Sequence, residues 1–63
     1  MTLRESRLAI EQLGWHVIAT KKHADGVEFD ATNYRRLAKS GVWASEDDAM
    51  RSLLEVVEVL EKM

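Results

Sequence analysis

Residues 15–31 read WHVIATKKHADGVEFDA, and the period of this stretch decides the fold class. Trp15, Val17 and Ala19 alternate with His16, Ile18 and Thr20, and Val27, Phe29 and Ala31 alternate with Glu28 and Asp30. Successive side chains of a strand point to opposite faces, so period-two alternation predicts two strands, each with an apolar face. Between them, Ala24-Asp25-Gly26 is a turn signal. A three-residue loop with Gly26 at positive φ pairs His23 with Val27. That register sets Ala19 opposite Ala31 on the inner face and Lys22 opposite Glu28 on the outer face. A two-residue Asp-Gly loop sets Lys22 opposite Phe29 and mixes the faces. Because a one-residue slip exchanges the two faces, the first register is preferred.

Outward from the hairpin the period lengthens on both sides. Thr2 to Leu13 reads as a short helix. Thr2 and Glu5 have capping-box spacing, and Gly14 is placed to end the helix. Leu3, Ala9, Ile10 and Leu13 share one side of its wheel, and Leu8 lies off that side. Ser45 to Met63 reads as a longer amphipathic helix. Ser45 caps with Asp48 three residues on, and Glu46, Asp47 and Asp48 suit the positive end of the helix dipole. Ala49, Met50, Leu53, Val56, Val57 and Leu60 form its central stripe. Leu54 widens the stripe on one side, and Val59 with Met63 widen it on the other. Asp47–Arg51 and Glu58–Lys62 are acid-before-base pairs four residues apart.

Asn33 to Gly41 admits two readings. Tyr34, Leu37 and Ala38 have helical spacing, with Asn33 to cap and Gly41 to stop a two-turn helix. The rival is a continued strand that turns at Ser40-Gly41 and returns as a short third strand, Val42-Trp43-Ala44. The helical turn followed by a short extended stretch is the preferred expectation. The architecture is therefore α+β. An N-terminal helix precedes an antiparallel β-hairpin, with a short third strand under the rival reading. The C-terminal amphipathic helix then packs on a sheet face carrying Trp15, Val17, Phe29 and Ala31.

Sixty-three residues form one small domain spanning residues 1–63. A chain of this length buries only about 60% of its unfolded surface, and no cysteine is present to staple it. Good packing or self-association must supply the stability. Apolar content of 46% with 32% charge is that of a folded domain. No apolar run approaches the roughly 20 residues of a membrane span. Met1-Thr2-Leu3 reads as a natural start without a signal peptide. These features lead to the expectation of a cytoplasmic protein with no membrane partner.

The chemistry-bearing residues form no recognisable constellation. His16 and His23 lie seven apart on one expected strand, so they point to opposite faces, which suits no shared metal. His23 and Asp25 flank a turn. Glu55 and Glu58 share a helix face, but paired catalytic acids need a cleft with opposed environments. No nucleophile elbow, phosphate loop or dinucleotide fingerprint occurs. The expectation is no catalytic residue, no cofactor, no metal and no small-molecule substrate.

The net charge of −2 hides a split: residues 20–41 are basic and residues 42–63 acidic. Two functional classes follow. The first is a non-enzymatic protein-interaction module, an adaptor or inhibitor of a larger assembly, with a protein partner that is self or foreign. Phage and mobile-element regulators share its size and composition. Its surface would be the C-terminal helix with the Arg35–Trp43 segment, and the candidate residues are Arg35, Arg36, Trp43, Leu54, Val59 and Met63. The second is a nucleic-acid-binding module in which Lys21, Lys22, Arg35, Arg36 and Lys39 meet phosphates and Tyr34 or Trp43 stacks on bases.

Under the rival reading, residues 15–62 run strand, turn, strand, short strand and capped helix. That layout resembles the small three-stranded arm-binding domains at the N-termini of tyrosine recombinases. The resemblance implies a sheet that enters a DNA groove. This chain departs from that pattern by carrying Glu28 and Asp30 on the outer sheet face, where they repel phosphate.

Overall fold

The computed structural model describes all of residues 1–63. The elements follow as α1 (Leu3–Gln12), β1 (His16–His23), β2 (Gly26–Asn33), β3 (Arg36–Lys39) and α2 (Glu46–Lys62). The strands make one antiparallel sheet in the order β1-β2-β3. Helix α2 lies against β2 and β3, and α1 lies beside α2 and against β1. Ile10, Trp15, Val27, Phe29, Ala31 and Ala38 meet Ala49, Met50, Leu53, Leu54 and Val57 in a single core. The accessible surface of 4305 Å² is close to the roughly 4,100 Å² of a compact monomer of 7.2 kDa. The chain therefore closes its core on its own.

Local signals set the helix ends as the sequence implies. Thr2 Oγ1 accepts the Glu5 N–H at 3.2 Å, and the Glu5 carboxylate accepts the Thr2 N–H at 2.9 Å, which completes the capping box. The Thr2 backbone N–H, then its side chain, hold the Glu5 carboxyl below its ordinary value. A lowered carboxylate contributes stability at neutral pH, and this is lost as pH falls through that lowered value. Gly14 at φ 86° follows α1. Ser45 Oγ accepts the Asp48 N–H at 3.1 Å at the start of α2. The expected Asp47–Arg51 pair does not form. Asp47 instead accepts the Leu3 N–H at 2.8 Å and ties the two helix starts together. Arg51 faces Glu55 at 3.8 Å, an exposed pair worth little.

The hairpin register differs from both sequence readings. The β1–β2 loop is Ala24-Asp25, and His23 pairs with Gly26, Lys22 with Val27 and Lys21 with Glu28. A bulge between Val17 and Ala19 then shifts the register, so Val17 and not the expected Ala19 faces Ala31, while Ala19 pairs with Asp30 on the outer side. One extra residue inverts the parity of the strand. Val17 keeps its inward place, but Lys21 rather than Lys22 lies on the outer face. The same inversion puts His16 and His23 on one face, contrary to expectation. They remain about 23 Å apart along the strand, and His23 Nε2 lies 3.2 Å from Glu28 Oε1 rather than at Asp25.

Gly26 does not adopt positive φ. It is glycine because a Cβ there would run into the Trp43 carbonyl, 2.7 Å from its carbon. Val27 and Trp43 exchange backbone hydrogen bonds of 2.8 and 3.0 Å at this point. Gly26→Ala is expected to push Trp43 off β2 and cost about 2 kcal/mol for the two bonds. The check is a lowered urea midpoint, and an unchanged midpoint would show that the Trp43 bridge is dispensable.

Residues 33–41 form a tight turn and the short strand β3, not a helix. Asn33 Oδ1 accepts the N–H groups of Arg35 and Arg36 at 2.9 and 2.8 Å, capping a tight turn over Tyr34-Arg35. Tyr34 and Leu37 are exposed and only Ala38 is buried, so the helical spacing of these three has no packing behind it. The third strand precedes the Ser40-Gly41 turn instead of following it. Ser40 then replaces a ladder position: its N–H donates to Phe29 O at 3.0 Å and its Oγ accepts the Phe29 N–H at 2.9 Å. Gly41 turns the chain at φ 77°, and Trp43 alone rejoins β2.

Candidate interaction surface

Two side-chain ties fasten α2 alongside β3. Ser52 Oγ donates to Ser40 O at 3.1 Å, and the Arg36 guanidinium donates to Leu60 O at 2.8 Å. The second tie also puts a cation on the negative end of the helix. Residues 52–60 of α2 therefore run antiparallel to residues 36–40. The eight-residue helical rise is about 12 Å, and the four-residue strand rise is about 13 Å. The two segments match in length, so the helix flank follows the strand from end to end.

That flank is apolar and open. Ser52, Glu55, Val56, Val59 and Leu60 line a shallow groove. Beside it lies the free edge of β3, which no further strand covers. Ladder bonds alternate along an antiparallel strand. Ser40 bonds to Phe29 in β2, so the backbone groups of Leu37 and Lys39 are the ones directed outward. Trp43 stands at one end of the groove, half-exposed, with its indole N–H on Ser40 O at 2.8 Å.

The structure separates the expected interface residues. Leu54 is 6% exposed and belongs to the core, because α1 packs against that side of α2. It is not a docking residue. Val59 at 59% and Met63 at 83% exposure lie open. Arg36 and Trp43 flank the groove through the contacts above, and Arg35 sits in the β2–β3 turn. Sequence reasoning missed Ser52 and Val56 as groove neighbours of Val59. The signal was present: Ser52, Val56, Val59 and Met63 follow a four-three-four spacing along the edge of the core stripe, with Val56 shared between the two.

The candidate nucleic-acid residues do not converge. Lys21 is held by Asp30 at 3.2 Å on the outer sheet face. Lys39 lies across from Asp30 on that face, and Lys22 is on the other face. Tyr34 and Arg35 sit at the opposite end of β2, about 20 Å away along the strand. Arg36 is committed to Leu60 O. Asp30, only 5% exposed, puts a carboxylate at the middle of this face, and its Oδ1 has no hydrogen-bond partner.

The chain matches no protein-family model, and neither a curated protein nor a solved structure is significantly similar to it. No helix is long and apolar enough to cross a membrane.

Proposed function

We propose that this chain is a small non-enzymatic protein-interaction module, of the adaptor or inhibitor kind, acting through α2 and the segment that runs from β3 to Trp43. One observation carries the reading. An apolar flank of α2, with Val59 and Met63 exposed and Val56 and Leu60 half-buried against the core, borders an uncovered strand edge. Open strand edges and contiguous apolar flanks are both features that proteins ordinarily cover or use. The acidic first turn of α2 and the carboxylates of Glu28 and Asp30 favour this reading over phosphate binding.

The test is capture of binding partners on tagged chain after nuclease treatment, with Val59→Asp and Leu8→Asp compared. Leu8 is exposed on α1, away from the groove, and serves as the surface control. The expected result is a protein that survives nuclease, is lost with Val59→Asp and is kept with Leu8→Asp. Equal capture by both variants would remove the groove from the function. Recovery of nucleic acid alone would transfer the function to Arg35 and Lys39.

A further inference from the structure

We infer that the groove and the β3 edge bind a second copy of this chain, as a two-fold dimer in which β3 pairs with β3 and α2 with α2. This rests on the interaction reading above and names the partner.

The spacing of the seam carries the argument. Ser52, Val56, Val59 and Met63 are placed symmetrically about the midpoint between Val57 and Glu58. An antiparallel copy of the helix therefore presents the same series in reverse: Ser52 meets Met63, and Val56 meets Val59. A two-fold interface demands this self-complementarity, in which residue i meets j and j meets i. The flanking charges obey the same symmetry. Glu55 borders the seam and falls beside Lys62 of the second copy, so each dimer gains two opposite-charge contacts of the type that sets orientation in paired helices. Within the single chain Glu55 has one salt-bridge partner, the exposed Arg51.

The strand edge fits the same axis. Pairing of β3 with itself about Ala38 sets Leu37 opposite Lys39 of the second copy, and both residues carry outward-directed backbone groups. No lysine or arginine then faces a like charge directly. The residue of α2 alongside Ala38 is near Val56, midway between the ties at Ser52 and Leu60. The strand axis and the helix axis thus fall within about two residues of helix rise of each other, roughly 3 Å. One rotation brings both elements into register and joins two three-stranded sheets into one. It also removes the β3 edge from water, which a free edge strand invites.

The experiment is sedimentation of the purified chain from low micromolar to millimolar concentration, with Val59→Asp, Glu55→Lys, Lys62→Glu and the double charge swap. Wild type is expected to show a monomer–dimer equilibrium. Val59→Asp enters the interface twice and should weaken dimerisation about a hundredfold or more, with circular dichroism unchanged. Each single charge variant should weaken the dimer, and the double swap should restore it. A wild type that stays monomeric throughout, or a dimer that Val59→Asp leaves intact, overturns the inference. A dimer broken by Val59→Asp but not restored by the swap overturns the antiparallel pairing. A monomeric chain that still captures a foreign protein through Val59 would sink the dimer and leave the interaction reading standing.

Discussion

Trp15→Ala is expected to leave the chain largely unfolded at room temperature. Trp15 is fully buried and is the largest side chain in the core. It sits between Gly14, which ends α1, and His16, which opens β1. Its indole N–H donates to Glu61 Oε1 at 2.6 Å, so one residue joins the helix–strand junction to the last turn of α2. Truncating a buried tryptophan costs about 3–5 kcal/mol. A chain of this length has only about 3–9 kcal/mol in total. The loss consumes most or all of that margin, and Glu61 loses its partner as well. Far-UV circular dichroism and urea titration measure the effect, with Trp43 left as the fluorescent reporter. Trp15→Phe separates packing from polarity. It retains most of the apolar contact and gives up the hydrogen bond, for a smaller loss of about 1–2 kcal/mol. A Trp15→Ala chain with the wild-type midpoint would refute this account of the core.

Leu54→Asp and Val59→Asp should give opposite results, although both residues border the same helical stripe. Leu54 is enclosed between α2 and its neighbours, so an aspartate there buries an unpaired charge and empties a leucine site. The expected loss is about 3–5 kcal/mol, enough to unfold the chain. Val59 faces solvent in the groove, and substitution there should shift the stability of the isolated monomer by about 0.5 kcal/mol or less. Its effect falls on association instead. Thermal melts at high dilution, compared with binding at high concentration, distinguish the two. Two variants that both stay folded would place Leu54 at the surface. Two that both unfold would place Val59 in the core and remove the groove.

The helices and their ends were legible because their signals act within a few residues. Thr2 and Glu5 cap each other across one turn, and Ser45 meets Asp48 the same way. The two strands of the hairpin were legible from alternation, as was the inward set of Trp15, Val17, Phe29 and Ala31. The register was not. It rests on an extra residue at Ile18 and on the approach of Trp43 to Gly26, neither of which leaves a local trace. Of the surface, Val59 and Met63 were legible as surplus apolar groups. Leu54 looked equivalent on the helical wheel, because a wheel has no neighbours on it.

By itself the sequence determined the α+β class, the helix limits and the inward set of Trp15, Val17, Phe29 and Ala31. Each of these depends on side-chain period or on contacts a turn apart. Tertiary structure alone decided that residues 36–39 are a strand, because β2 offered an open edge and Ala38 a place beneath α2. It decided that Asn33 caps a β-turn and not a helix, using the same side-chain oxygen for either. It decided which flank of α2 is covered, because α1 packs on one side only and the β3 side is left open. These outcomes depend on which neighbouring element offers an open edge or a covering face, and the local signals at Asn33 and Ala38 fit either structure.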